Sequence, residues 1–164
     1  MLLTGQELKE HIERGCEALQ DKLTVYSAFI TEPALRWLIG HVPTGIDVRV
    51  VARWQARDLC YRSSDLACYE MCRDRGWAFG IDLKLHSKVF VFDDERVLIG
   101  SSNLTARGLS LGHAGNVELG TMLEPSIDDL DKLRDLEENV TWLNDELFEA
   151  IAKECEQLTE ERGD

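Results

Sequence analysis

The segment from residue 86 to residue 103 combines side chains that can attack a phosphate ester and stabilise its charge. It reads HSKVFVFDDERVLIGSSN and places His86 two residues before Lys88. In an extended strand, side chains two residues apart point to the same side, so the imidazole and the ammonium group project together. An imidazole serves as a nucleophile or as a general acid, and an ammonium group suits an anion. The pair therefore predicts chemistry at a phosphodiester.

A turn with hydrogen-bond donors follows in the same segment. The Ser101 hydroxyl and the Asn103 amide can both donate to phosphate oxygens, and Arg107 on the same loop is a candidate for a further phosphate contact. Asp93 stands at the corner of a predicted hairpin, where a carboxylate holds the turn or pairs locally. We therefore assign Asp93 and Gly100 structural roles in the motif.

The segment resembles the HKD motif of the phospholipase D superfamily. His86 is followed after one residue by Lys88, Lys88 after four residues by Asp93, and Asp93 after six residues by the GSSN turn. This resemblance implies a reaction that uses neither a metal nor a cofactor. It implies that His86 attacks phosphorus and forms a phosphohistidine, while Lys88, Ser101 and Asn103 stabilise the phosphoryl oxygens.

The resemblance also implies a carboxylate that orients the nucleophilic histidine. Family members carry it in an Asn-x-Glu pattern on the next strand, and Asn116, Val117 and Glu118 fit that pattern. A nucleophilic imidazole needs an acceptor on its other nitrogen to fix the tautomer. Glu118 is the candidate for this role, and a surface glutamate at a strand end is the alternative.

Only one HKD motif is present, although the family builds each active site from two. His11, His41 and His113 lack a lysine two residues later. The resemblance therefore implies a homodimer, in which each His86 faces its symmetry mate across a two-fold axis. One imidazole then acts as nucleophile and the other as general acid.

The resemblance favours nucleic acid as the substrate. One-motif members of this size are mostly nucleases, and the run SSNLTARGL over residues 101–109 is similar to prokaryotic branches found with restriction and helicase components. We expect a nuclease acting on DNA or RNA, and one interpretation of its role is an effector of a prokaryotic defence, restriction or DNA-processing system. The alternatives are a phospholipid or other phosphodiester hydrolase, and a partner-dependent interaction subunit.

The charge of the chain limits how it could bind a polyanion. The formal net charge of the 164 residues is -13, but residues 124–164 hold 15 acidic and 4 basic side chains and so carry most of it. The remainder is nearly neutral. Binding would have to rely on a local groove rather than on bulk charge. The candidate cations are Lys88, Arg107 and a cluster that contains Arg49, Arg53 and Arg57.

Hydrophobic periodicity predicts a β-α-β-α-β order, then a hairpin and a further strand, which is typical of an α/β sandwich. With the resemblance, we expect a phospholipase D-like α/β sandwich with a mixed central sheet. The expected domain spans residues 1–164, with a catalytic core over 1–123. Residues 124–164 are predicted to form acidic amphipathic helices that bury their apolar stripe against the domain, a second subunit or a protein partner. Burial against a second subunit or a protein partner would mean that the acidic helices bind another molecule.

The remaining composition indicates a cytoplasmic protein that does not contact a membrane. The sequence has no apolar run long enough to span a bilayer and no signal-peptide pattern at its start. The five cysteines are odd in number, so we expect reduced thiols. Cys68 and Cys72 could form half of a zinc site, but buried packing is favoured and no metal site is predicted.

Overall fold

The computed structural model describes residues 1–112 and 115–162. The fourth histidine of the sequence, His113, lies outside them. The strands are β1 (Leu2–Thr4), β2 (Lys22–Ser27), β3 (Asp47–Ala52), β4 (Ala78–Ile81), β5 (Lys88–Phe92), β6 (Arg96–Gly100), β7 (Leu119–Leu123) and β8 (Thr141–Trp142). The helices are α1 (Gly5–Glu17), α2 (Glu32–His41), α3 (Ala56–Cys60), α4 (Ala67–Asp74), α5 (Ile127–Glu138) and α6 (Asp145–Glu161).

All eight strands form one mixed sheet in the order β1-β7-β6-β5-β2-β3-β4-β8. β2, β3 and β4 are parallel and are connected by helices. β5 pairs antiparallel with β2, and β5, β6 and β7 continue as an antiparallel meander. The predicted α/β fold with a mixed central sheet is confirmed.

Each face of the sheet has its own hydrophobic core. The larger core contains apolar residues of α1, α2, α4 and α6, and the smaller one lies under α5. Phe148 of α6 enters the larger core, where its ring centroid is 4.5 Å from that of Tyr69 and 6.4 Å from that of Trp54. The apolar stripe of the last helix is therefore buried against the domain itself.

The helix starts follow local sequence signals. Thr4 and Glu7 form a capping box at α1, and Pro33 lies in the first turn of α2. At α6 the Asn144 side chain accepts a hydrogen bond from the Leu147 N–H at 2.8 Å. The helix α4 starts at Ala67 and not directly after Ser64, because the Ser64 hydroxyl accepts the N–H of Ile30 at 3.0 Å instead of capping a helix.

The acidic C-terminal segment differs from the prediction in one respect. Apolar residues recur at helical spacing from Ile127 to Leu143, but α5 ends at Glu138 and the chain then adds β8 to the edge of β4. Gly80 on β4 explains this, because a side chain there would overlap the Val140 side chain and the Trp142 ring. The glycine leaves room for the returning chain to pack on the sheet.

Within the described part of the chain, no helix is both long enough and apolar enough to span a membrane.

Candidate active site

The predicted catalytic residues meet at one edge of the sheet. The parallel strands β2, β3 and β4 end at this edge, β6 ends there too, and β5 starts there. Lys88, the first residue of β5, is paired with Ser27, the last residue of β2. The topology therefore brings residues that are far apart in sequence to the same place.

His86 and Lys88 lie side by side at the entrance to β5. The Lys88 Nζ donates a hydrogen bond to the backbone carbonyl of His86 at 2.9 Å, so the ammonium group folds back beside the histidine. His86 is exposed and Lys88 is half-buried. An exposed imidazole beside a cation can reach a phosphate group that approaches from solvent.

The amide of Asn103 is fixed by the end of β2. Its Oδ1 accepts the N–H of Phe29 at 3.3 Å and lies 3.4 Å from the Ser27 Oγ. Because the oxygen of the amide faces these groups, its NH2 points away from them. The Asn103 NH2 is therefore available as a donor to a bound anion.

Ser27 was not singled out by the sequence, although it organises this turn. Its buried hydroxyl accepts the Leu104 N–H at 2.8 Å and donates to the Phe29 carbonyl at 2.7 Å. It thus ties the end of β2 to the turn that carries Asn103. A serine within an apolar run has no distinctive spacing, and only the sheet pairing makes its position informative.

Ser101 and Glu118 form a second polar pair at the same edge. The Ser101 hydroxyl donates to the Glu118 carboxylate and accepts the Leu119 N–H at 3.0 Å. Glu118 is only 9% exposed, so its carboxylate is buried at this edge and is not a surface group at a strand end. Among the described residues, the side chain that hydrogen-bonds Glu118 is Ser101 rather than His86. The expected contact between Glu118 and His86 is therefore not part of this structure.

Asp93 lies at the opposite end of β5, away from His86. Its carboxylate accepts the backbone N–H groups of Gln20, Asp21 and Lys22 at 3.0, 2.9 and 2.8 Å. Partial burial raises the pKa of this carboxyl, but the three donors outweigh it and the net pKa is lowered. These contacts support a structural role in which Asp93 holds the loop before β2.

Gly100 permits the close approach of β6 and β7. It is paired with Gly120, and a Cβ at Gly100 would lie 3.0 Å from the Leu119 carbonyl oxygen and 3.2 Å from the Gly120 Cα. The Ser101 N–H then donates to the same Leu119 carbonyl at 3.0 Å. The glycine thereby lets the turn begin directly at the strand end.

The predicted arginine cluster does not form one cationic surface. Arg53 lies at the active edge, but its guanidinium binds the buried Asp58 carboxylate through two hydrogen bonds of 2.8 and 2.9 Å and is 4.8 Å from the Phe29 ring centroid. Arg49 lies under α5 and pairs with Glu137. Arg57 and Arg107 are exposed. The two side chains are separated because Arg49 lies within β3, whereas Arg53 follows the end of that strand at the active edge.

The cysteines considered for zinc lie inside the larger core. Cys68 and Cys72 are fully buried on α4, and burial raises the pKa of the Cys72 thiol to about 12. The Cys68 thiol lies 3.8 Å from the Ile30 carbonyl oxygen, to which it donates a weak hydrogen bond. Both thiols are thus packed as apolar groups.

The arrangement at the active edge suits the displacement of an ester oxygen from phosphorus. An exposed imidazole, an ammonium group and an amide NH2 lie at this one edge of the sheet. Such donors stabilise negative charge that develops on phosphoryl oxygens. His86 is the one described histidine at this edge, since His11 lies in α1 and His41 ends α2.

Comparisons with known proteins identify the family. The family model described as "Cardiolipin synthase, PLD-like domain" matches residues 17–130, so the chain belongs to this PLD-like domain family of the phospholipase D superfamily. The membership predicted from the HKD motif is confirmed. None of the curated proteins compared with the chain matches it.

Solved structures with the same fold include two small proteins of similar length. Nuc of Salmonella typhimurium, a phospholipase D family member, aligns with a TM-score of 0.67 at 16% identity, over 88% of this chain and 98% of its own. NucT of Helicobacter pylori aligns with a TM-score of 0.66 at 14% identity, over 85% of this chain and 93% of its own.

A longer protein shares the fold as well. Phosphatidylserine synthase of Haemophilus influenzae Rd KW20 aligns with a TM-score of 0.62 at 16% identity, over 98% of this chain but 46% of its own. At these identities the likeness establishes the fold and leaves the substrate to be argued from the site.

Proposed function

We propose that the chain is a metal-independent phosphodiesterase that hydrolyses DNA or RNA in an active site shared by two subunits. The observation that carries the proposal is the convergence of His86, Lys88 and Asn103 at one sheet edge. Membership of the phospholipase D superfamily supports the same chemistry.

In the proposed first step, an unprotonated nitrogen of His86 attacks phosphorus. A P–N bond forms, the P–O bond to the leaving group breaks, and the leaving oxygen takes a proton from the second histidine. In the second step, water attacks phosphorus and gives a proton to that histidine, and the P–N bond breaks. The cycle returns both imidazoles to their starting protonation states.

The other groups of the edge have distinct proposed roles. Lys88 neutralises charge on the phosphoryl oxygens, and the Asn103 NH2 donates to one of them. Ser101, whose hydroxyl donates to the Glu118 carboxylate in this structure, is the third proposed donor, with a phosphoryl oxygen replacing that carboxylate as its acceptor when substrate binds. A free oxygen of the Glu118 carboxylate is the acceptor proposed for the second imidazole nitrogen.

The second histidine is proposed to come from a symmetry-related copy. The described edge contains His86 alone, and the two-step reaction needs both a nucleophile and an acid. In a two-fold dimer, each copy supplies the same residue to the same site. A homodimer therefore completes the reaction without any additional protein.

Nucleic acid is the substrate that the chain's size favours. The chain covers nearly the whole of Nuc and NucT but less than half of phosphatidylserine synthase, so its architecture matches the compact relatives. The exposed Arg107 and Arg57 are the proposed contacts to the nucleic-acid backbone. Arg49 and Arg53 would contribute only if their carboxylate partners were displaced. A role as effector of a prokaryotic defence or DNA-processing system remains part of the proposal.

A phospholipid or other phosphodiester hydrolase is the second candidate function. The description of the family model names a cardiolipin synthase, and one structural neighbour is a phosphatidylserine synthase. Both observations favour a lipid headgroup ester. A partner-dependent interaction subunit is the third interpretation, in which the acidic helices α5 and α6 bind another protein.

One assay tests the reaction and the substrate together. The pure protein is incubated in excess EDTA with single- and double-stranded DNA and RNA, and with phosphatidylglycerol vesicles. We expect hydrolysis of a nucleic acid by the wild type and by His11→Asn, and none by His86→Asn. Loss of hydrolysis in EDTA would refute the metal-independent mechanism. Hydrolysis of the vesicles alone would favour the lipid candidate, and full activity of His86→Asn would refute the assigned nucleophile.

A further inference from the structure

An exposed aromatic ring lies at the end of α3, a helix that begins beside the candidate active site. Gln55, the N-cap of α3, donates from its side-chain amide to the Leu83 carbonyl at 2.8 Å, and Leu83 precedes His86 by three residues. The helix thus starts next to the loop that carries the proposed nucleophile. Tyr61 directly follows the last residue of α3, six residues after Gln55 and therefore roughly 9 Å further along the helix axis.

The Tyr61 ring is held from one side by the residue that follows α6. The Arg162 guanidinium lies over the ring, with its Cζ 4.7 Å from the ring centroid. Tyr61 is nevertheless 69% exposed, so the second face of its ring is open to solvent. A cation–π contact of this kind orients an aromatic side chain without burying it. The result is a flat aromatic surface that is already fixed in place.

Three arginines at this ring are not neutralised by carboxylates. Arg57 lies one helical turn before the tyrosine, Arg62 follows it, and Arg162 stacks on it. All three are exposed, and none forms a salt bridge with a carboxylate of residues 1–112 or 115–162. The acid of α3, Asp58, is bound by Arg53. The other paired arginines of the described chain are Arg36, Arg49, Arg73 and Arg134. A chain with a net charge of -13 therefore has a local cationic surface here.

Arg62 has a backbone conformation that a long side chain rarely adopts. Its φ is +57°, and its N–H donates to the Leu59 carbonyl at 3.2 Å. The helix α4 ends with the same kind of turn, but there the residue is Gly76, with a φ of +72° and an N–H that donates to Arg73 at 3.0 Å. Glycine is the usual residue at this position because it has no Cβ to strain the turn. An arginine in its place indicates that the side chain is used for binding.

We propose that these residues form a binding site, here called the α3 site, for an unpaired base and the phosphates beside it. Its members are Arg57, Tyr61, Arg62 and Arg162. An unpaired base can stack on the open face of the tyrosine while the guanidinium groups contact the backbone. In a duplex the faces of each base are covered by its neighbours, so the α3 site takes a single strand. The proposal rests on the proposed function and adds a strand contact outside the reacting phosphate.

The stacking contact is tested by fluorescence anisotropy with protein that carries His86→Asn, so that the strands are not cut. The probes are labelled oligothymidylate and oligouridylate of about 12 nucleotides, an abasic strand of the same length, and the oligothymidylate duplexed with oligoadenylate. We expect Tyr61→Leu to raise the Kd for the two single strands about 5-fold or more and to leave the Kd for the abasic strand unchanged. Tyr61→Phe, which keeps the ring, should bind like the parent. Because a folding defect would weaken the binding of every strand, the difference between the strands isolates the stacking contact.

The phosphate contact is tested by the salt dependence of the same binding. Arg62→Gln should lower the slope of log Kd against log salt by about 0.7, the change expected for one phosphate contact on a single strand. Arg96→Gln is the matched control, since Arg96 is also exposed but lies at the opposite end of the sheet, where β6 starts. Its slope should equal that of the parent. The same change of slope in both variants would show that overall charge decides binding and would contradict the α3 site.

The outcomes separate the α3 site from the proposed reaction. If Tyr61→Leu binds the single strands as tightly as the parent, the α3 site is wrong, while hydrolysis of the same strands by the wild type still supports the nuclease. If the duplex binds as tightly as the single strand and is weakened equally by Tyr61→Leu, the assignment to single strands is wrong. If the protein binds no strand and the wild type hydrolyses none, the proposed nuclease function fails and the α3 site fails with it.

Discussion

The two ends of the strand β5 carry the two halves of the same motif and do different work. At its start, His86 is exposed and Lys88 turns its ammonium group toward the histidine backbone. At its end, Asp93 is saturated by three backbone donors from the loop before β2. The comparison teaches that a compact sequence motif need not be a compact site, because a strand separates its members along its length.

The largest effect is expected at the start of β5, here called its open end because His86 is exposed there. Replacing the proposed nucleophile by His86→Asn should lower kcat/KM by about 10⁴-fold or more, the order seen when a nucleophile is removed. The melting temperature should stay within about 2 °C, since the side chain is exposed. Steady-state kinetics and calorimetry on the same preparation make the comparison. A large loss of stability would mean that the two ends of β5 are not functionally distinct.

A substitution at Asp93, at the other end of β5, should lower stability and leave activity nearly unchanged. Asp93→Asn removes the charged acceptor of three N–H groups and should cost about 2 kcal/mol of the free energy of unfolding, with little change in kcat. Because the pKa of Asp93 is lowered in the folded protein, its contribution is fully present above the pKa of a free aspartate, about 3.9. It is lost as the pH falls through the folded value. Urea denaturation at pH 7 and at pH 3 should show a stability difference that shrinks at the lower pH.

A substitution of the buried Ser27, which holds the turn that carries Asn103, should have a smaller effect on the rate. Ser27→Ala removes the hydroxyl that joins Phe29 and Leu104, so Asn103 loses its fixed orientation. We expect kcat to fall by about 10-fold with KM nearly unchanged, because orientation matters most in the transition state. Ser27→Thr, which keeps the hydroxyl, should recover part of the rate. An equal loss in both variants would indicate a packing defect instead.

The smallest effect is expected from the negative charges of the acidic helix α6. Its removal would expose Trp54 and Tyr69, which contact Phe148, so charge neutralisation is the better test. Glu149→Gln combined with Glu156→Gln removes two exposed charges and should tighten nucleic-acid binding about two- to fivefold at low salt. Fluorescence anisotropy at two salt concentrations measures this change. The gain should disappear at high salt.

Much of the fold could be predicted from local patterns. The helix starts at Thr4 and Asn144, the β5–β6 hairpin and the alternation of strands and helices all follow from capping residues and hydrophobic period. The edge strand β8 could not be predicted in this way, because it depends on the space above Gly80 on a strand about 60 residues earlier. The helical spacing of apolar residues continues past the end of α5, so it does not show where the helix stops and β8 begins.

The candidate site also has some features that the local sequence predicts and others that depend on contacts between distant segments. The spacing of His86, Lys88 and Asn103 predicted a phosphate-directed cluster, since residue types and offsets within one hairpin are local information. The support from Ser27 and the neutralisation of Arg53 by Asp58 were not predictable, because each depends on pairing between distant segments. The expected contact between Glu118 and His86 was likewise a question of three-dimensional geometry.

The sequence by itself determined the family and the alternation of the central strands and helices, and it predicted the chemistry, because these depend on residue type and on spacing along the chain. The tertiary structure decided which polar groups face the substrate and which are consumed by internal contacts, since this depends on which strands become neighbours. It also decided that the acidic last helix buries its apolar stripe against the domain itself.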